Sequence, residues 1–156
     1  MSHTAASHII ARELRPEDRP RWDQLWNGYL EFYQEALPAE ITEATWQRLL
    51  DPARQPFGLA ALDALDASGR IIGIVHYLFH PSTWSLDGYC YLEDLFVDPS
   101  ARGAGAGRAL IEAVYRAADA KGVSRVYWST AKDNTQAQAL YNQVGVLTPF
   151  VQYRRK

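Results

Sequence analysis

The sequence holds a single cysteine, Cys90, so no internal disulfide can form, and neither a four-thiolate zinc site nor a Cys-x-x-Cys redox pair is available. A reducing cytoplasm is the expected setting. Neither charge sign dominates: 16 Lys plus Arg stand against 18 Asp plus Glu, a formal net charge of −2, which gives no whole-molecule field for gripping phosphate backbones. Nucleic acid is therefore not an expected partner. Long apolar runs are missing too. The longest, Ile71 to Phe79, is interrupted by His76 and falls far short of the roughly 20 residues that cross a bilayer. No membrane partner is expected, and the opening MSHTAASHIIARELR lacks the basic-then-apolar character of an export signal. With no linker, repeat or low-complexity tract, residues 1–156 are expected to form one domain.

What is present is an ordinary globular balance, 47% hydrophobic and 22% charged, enough to bury a core without metals or disulfides. Ile9 to Leu14 reads as a first strand. Pro16-Glu17-Asp18 opens a helix running to about Gln34, with Trp22, Leu25, Trp26, Tyr29, Leu30 and Tyr33 on one face. A second helix is predicted over Thr42 to Leu50. FGLAALDAL and RIIGIVHYLF, separated by Asp66-Ala67-Ser68-Gly69, read as an antiparallel hairpin, and Tyr89 to Val97 as the next strand, stopped by Asp98-Pro99. A helix after Gly107 ends at Gly122. Arg125 to Thr130 reads as a strand, Asp133-x-x-Gln136 as a capping box before a helix with Ala137, Leu140, Tyr141 and Val144 on its apolar face, and Phe150 to Arg154 as a closing strand. This order describes a mixed α/β sheet domain.

The segment Arg102-Gly103-Ala104-Gly105-Ala106-Gly107-Arg108 lies between a predicted strand and a predicted helix. Small residues let a ligand approach the main chain, and the unpaired N–H groups of a helix start, backed by the helix dipole, form an anion site. Phosphate or pyrophosphate is the natural occupant. The dinucleotide fingerprint fails because Arg108 stands where its third glycine should be. A Walker A loop fails because Gly107-Arg108-Ala109 replaces Gly-Lys-Ser/Thr.

The loop does fit the R/Q-x-x-G-x-G/A pattern, through Arg102, Gly105 and Gly107, and here the chain resembles the GCN5-related N-acetyltransferases (GNAT). The flanking LEDLFVDPSARGAGAGRALIE, Asn134 and LYNQVG with Tyr141 are similar to that family's acetyl-CoA-binding core over about residues 89–146. YLEDLFV and the closing FVQYRR give a further resemblance to its small amine and histone/polyamine branch. The resemblance implies a mostly antiparallel twisted sheet of about six or seven strands flanked by about four helices. It also implies acetyl-CoA as co-substrate, a primary amine or a protein lysine as acceptor, and a homodimer, with the C-terminal strands around Phe150 to Tyr153 exchanged.

By the same resemblance, Glu93 is the candidate base. Taking a lysine-like amine of pKa about 10.4 to its neutral form at pH 7 costs roughly 4.6 kcal/mol, so a carboxylate that accepts the proton is useful. Asp94 faces the opposite side of a regular strand, although a bulge would change which of the two meets the acceptor. Tyr141 is the candidate acid for the departing thiolate. Periodicity alone would make it a core residue. Asn134 is implied in cofactor contact, or else caps its helix. The backbone of Leu95, Phe96 and Val97 is expected to pair with the pantetheine arm, and Arg102 to Arg108, including Ala104 and Ala106, to hold the pyrophosphate.

The aromatic face of Trp22, Trp26, Tyr29 and Tyr33 is either core or pocket wall. Glu31 and Glu35 either attract a cationic amine or form a solvated face. His76 and His80 stand roughly 13 Å apart along a strand at about 3.3 Å per residue, too far to share a metal, so no metal site is expected. Cys90, with no histidine partner in sequence, is read as a small buried residue rather than a nucleophile. The alternative to an acetyltransferase is a non-catalytic acyl-CoA-binding or regulatory module.

Overall fold

A computed structural model describes residues 8–156. Five strands form one sheet: β1 (Ile9–Glu13), β2 (Phe57–Asp63), β3 (Ile71–Ser82), β4 (Ser85–Val97) and β5 (Val126–Tyr127). Their spatial order is β1-β2-β3-β4-β5, antiparallel throughout except for the parallel β4–β5 pair. Helices α1 (Arg19–Phe32) and α2 (Ala39–Leu49) pack on one face, α3 (Ala106–Ala120) and α4 (Thr135–Val144) on the other.

Alternation along the strands divides the core. Val75 and Tyr77 of β3 join Leu110, Ile111 and Val114 of α3, whereas Ile74 joins Trp22, Leu25, Trp26 and Trp46 from α1 and α2. Trp22 and Leu25 are almost wholly buried. Fully burying a large apolar side chain contributes about 1.5–3 kcal/mol, so the α1 stripe anchors that layer. Its aromatic face is divided: Trp22 is core, while Tyr29 and Tyr33 remain partly accessible. Gly28 gives α1 its close approach to β4, because a Cβ there would meet the Phe96 ring at 2.8 Å.

The sheet has fewer strands than the six or seven expected. Phe150 to Arg154 forms no strand, and residues 145–156 have no regular secondary structure. A strand needs a partner edge, and the two-residue β5 does not offer one long enough. Strand character expected over Arg125 to Thr130 is confined to Val126–Tyr127. The helix cap also differs: Asn134, rather than Asp133, caps α4, its side chain accepting from the Ala137 N–H at 3.3 Å. Among the described residues no helix is long and apolar enough to cross a membrane.

Candidate active site

The regular pairing of β3 with β4 breaks at one point. Tyr77 pairs with Leu92 and His76 with Asp94, leaving Glu93 as an extra residue on β4. This β-bulge changes the parity of everything after it. Cys90 and Leu92 pack on the α3 side; beyond the bulge Leu95 and Val97 take that side and Phe96 joins the α1 layer. Asp94 therefore does not face away from Glu93, as a regular strand would require. Both carboxylates line a cleft of about 400 Å³ with Trp26, Ile41, Arg48 and His76.

His76, which the sequence offered only as a metal ligand to be rejected, sits beneath this cleft and is 1% exposed. The Trp22 indole N–H donates to its Nε2 at 3.1 Å, and Nδ1 lies 2.9 Å from Asp94 Oδ2. An indole nitrogen can only donate, so Nε2 carries no proton; the ring is neutral and its Nδ1–H donates to the carboxylate. Tyr29 closes around the same group. Burial, with the Asp94 charge and hydrogen bond, pushes its hydroxyl well above the ordinary tyrosine value. His80, by contrast, pairs with the Tyr127 hydroxyl at 2.6 Å, far from this cluster in register.

Glu93 stays accessible to solvent, but its carboxyl is pushed above its ordinary value by partial burial and by Asp94, with His76 and then Arg48 opposing. That suits a group that must collect a proton. From Trp26 the aromatic ladder continues through Tyr29, stacked at 5.2 Å, to Tyr33 at 4.9 Å. Tyr33 in turn lies near Tyr141 of α4. Burial, with Tyr33, holds the Tyr141 hydroxyl up at about 12, so it is protonated at neutral pH. Its ring meets Trp128 edge-on at 5.6 Å. A second opening of about 460 Å³ is lined by Phe32, Tyr33, Ala131, Asn134 and Thr135. Asn134 is occupied at both ends of its amide, capping α4 and donating to Thr130 Oγ1 at 3.3 Å.

Among the described residues β4 pairs with β5 only at Cys90 and Tyr91, so Leu95, Phe96 and Val97 have no strand on that edge. The glycine loop follows at the end of that edge. Asp98 pins its base: Oδ1 accepts from the Ser100 N–H and Oγ–H, and Oδ2 pairs with Arg21 at 2.5 Å, which holds the carboxyl down at about 2. Gly103 and Gly105 adopt φ of +86° and +90°, the left-handed region that favours glycine, and open space surrounds Gly103. Among the described residues no side-chain hydrogen bond caps the α3 N-terminus, an arrangement that can receive an anion at the N–H groups of its first turn.

The loop residues are not equivalent. Ala104 is exposed, while the Ala106 side chain is buried in the core. A Cβ on Gly107 would meet Leu140 at 3.0 Å, so this glycine serves the packing of α3 on α4. Arg108 bonds Gln143 of α4 and lies 3.9 Å from Glu112. Arg102 is exposed and makes no ion pair or hydrogen bond among the described residues. Cys90 is fully buried, its thiol pushed up to about 11 by burial. Glu31 and Glu35 are exposed.

Residues 22–146 match the model of the acetyltransferase (GNAT) family. The D-amino-acid N-acetyltransferase HPA3 of Saccharomyces cerevisiae is 38% identical over 147 residues, covering 94% of this chain and 90% of that relative. An uncharacterized N-acetyltransferase of Bacillus subtilis, YhfO, is 31% identical over 144 residues, covering 91% and 93%. Among solved structures, the aminoglycoside acetyltransferase meta-AAC0020 from an uncultured soil metagenomic sample superposes with a TM-score of 0.76 at 19% identity over 97% of each chain. That likeness shows a common fold.

Proposed function

The chain belongs to the acetyltransferase (GNAT) family and is an N-acetyltransferase; on that premise we propose that it transfers the acetyl group of acetyl-CoA to the primary amine of a small molecule, by direct attack in a ternary complex. The observation that carries this reading is the bulge at Glu93. It turns two adjacent carboxylates into one cleft immediately before the unpaired β4 edge and the glycine loop. The name of the yeast relative, a D-amino-acid N-acetyltransferase, supports a small-molecule acceptor. We place the protein in the small-amine branch of the family, working in the cytoplasm as a homodimer.

The residues present fit acetyl-CoA. Gly103 and Gly105 open the loop by their positive φ, and among the described residues the α3 N-terminus has no side-chain cap and Arg102 no partner, which leaves a cation for the pyrophosphate. The backbone edge of Leu95, Phe96 and Val97 would hold the pantetheine arm, and Asn134 lines the neighbouring opening. Acetyl-CoA supplies an activated acetyl thioester. Glu93 takes the proton from the acceptor ammonium, directly or through water, while Asp94 holds the cation in place. Tyr141, protonated at neutral pH, carries the proton a departing thiolate needs. Cys90 is buried with a raised pKa, which supports direct attack without a covalent acetyl-enzyme.

The test is acetyl-CoA-dependent thiol release with small primary amines, run on the parent protein, Glu93→Gln and Tyr141→Phe. Each variant is expected to lose about 10²–10⁴-fold in kcat, the usual range for a general acid or base, with acetyl-CoA affinity little changed. Full activity in Glu93→Gln would move the base elsewhere.

A further inference from the structure

The acceptor cleft carries more than its two acids. Arg48 of α2 lines the same cleft as Glu93 and Asp94, and its positive charge is felt at the Glu93 carboxyl. Its Nε donates to the Ala44 carbonyl of its own helix at 3.3 Å, while its terminal nitrogens have no hydrogen-bond or ion-pair partner among the described residues. The cleft's remaining titratable wall residue, His76, is neutral and fully engaged by Trp22 and Asp94. The wall thus presents two carboxylates beside one arginine whose outer fork is unpaired.

We propose that this cleft takes α-amino acids, with Arg48 binding the α-carboxylate while the ammonium lies at Glu93 and Asp94. The inference rests on the assignment of the cleft to a primary-amine acceptor and adds the chemical class of that acceptor. In an α-amino acid the opposite charges sit on one carbon, so both can be met only where a cation and an acid share a small space. Arg48 and Glu93 meet that condition. The guanidinium fork matches a carboxylate by two parallel hydrogen bonds, which fixes orientation as well as adding affinity. The same cation repels the second ammonium of a diamine or polyamine, so selectivity has a repulsive half as well as an attractive one. Beyond the charged groups and His76, the cleft is lined by Trp26, Leu37, Ile41, Pro56 and Leu78 with the uncharged polar Thr45 and Gln55, which suits an uncharged side chain.

The experiment compares each amino acid with the amine that lacks only its carboxylate, phenylalanine against phenethylamine and leucine against isoamylamine, in both D and L forms. Acetylation is followed by thiol release, with spermidine included. The parent protein is expected to prefer the amino acid by at least tenfold in kcat/KM, and Arg48→Gln to erase that preference mainly through KM, with partial recovery in Arg48→Lys. Arg48 is partly exposed; the acetyl-CoA affinity and melting temperature of each variant show whether the fold is kept. Equal use of amino acid and amine by the parent, a preference for spermidine, or an Arg48→Gln variant that keeps the preference would overturn the carboxylate assignment while leaving the acetyltransferase reading intact. No turnover with any amine would overturn both.

Discussion

His76 stands between an indole that can only donate and a carboxylate that can only accept, and this chemistry fixes its proton on Nδ1. The ring holds Asp94 in the cleft; it has no nitrogen left for a substrate. On the proposed function it positions Asp94, and two substitutions that each keep one of its polar contacts separate that role from packing. His76→Asn keeps an amide donor near the Nδ1 position, whereas His76→Gln keeps an acceptor near Nε2 and releases Asp94. Gln is expected to raise the acceptor KM about tenfold or more, with Asn much nearer the parent, even though each leaves one buried group unpaired at about 1–3 kcal/mol. Equal kinetic losses tracking the loss of melting temperature would reduce His76 to a packing residue. Glu93 and Tyr141 were singled out as candidates because a short motif carries them. His76 was not, since its place depends on pairings 54 and 18 residues apart and on one bulge, and nothing in the sequence sets Arg48 in one cleft with Glu93. One signal was available: in YCYLEDLFV the inward series Cys90, Leu92 resumes at Leu95, a step of three that no regular strand makes.

Among the elements, the glycine loop was read from sequence as a whole, but its members divide by backbone geometry and packing. Gly105, at φ +90°, turns the chain into α3, and Gly107 lies against Leu140. A β-branched residue at φ near +90° is strained by about 1–3 kcal/mol and narrows the approach to the α3 N–H groups. Gly105→Val is expected to weaken acetyl-CoA binding at least about tenfold by calorimetry, while the circular dichroism spectrum keeps its folded form. Unchanged affinity would remove the loop from the cofactor site. The helices and the central hairpin were legible because periodicity and turn chemistry agree there. The α4 cap was displaced by one residue, because Asp133 and Asn134 both suit a cap and only the chain's path after Thr130 decides between them.

For the whole molecule, the expected closing strand exposes what a single chain leaves unfinished. Val146, Leu147, Phe150, Val151 and Tyr153 are all largely exposed, and sequence could show their strand character without showing that no sheet edge among the described residues receives them. A second copy would supply such an edge. Sedimentation velocity should find a particle of twice the chain mass, reverting to one chain in a Phe150→Glu, Tyr153→Glu variant; a monomeric parent at micromolar concentration would contradict the homodimer. On the proposed function the two faces of the sheet have separate tasks, the α1 and α2 layer shaping the acceptor cleft and the α3 and α4 side the cofactor edge, with the β4 bulge joining them. The most direct test of that arrangement is the pH dependence of acetyl transfer to a primary amine, with thiol and acetylated amine quantified together for the parent and Glu93→Gln. The parent should release one thiol per acetylated amine and lose rate as pH falls through a value above that of an ordinary glutamate, because the Glu93 carboxyl is raised and must be ionised to accept a proton. Glu93→Gln should be slow and lack that acid limb. An unchanged profile in the variant, or thiol release without acetylated amine, would contradict the account.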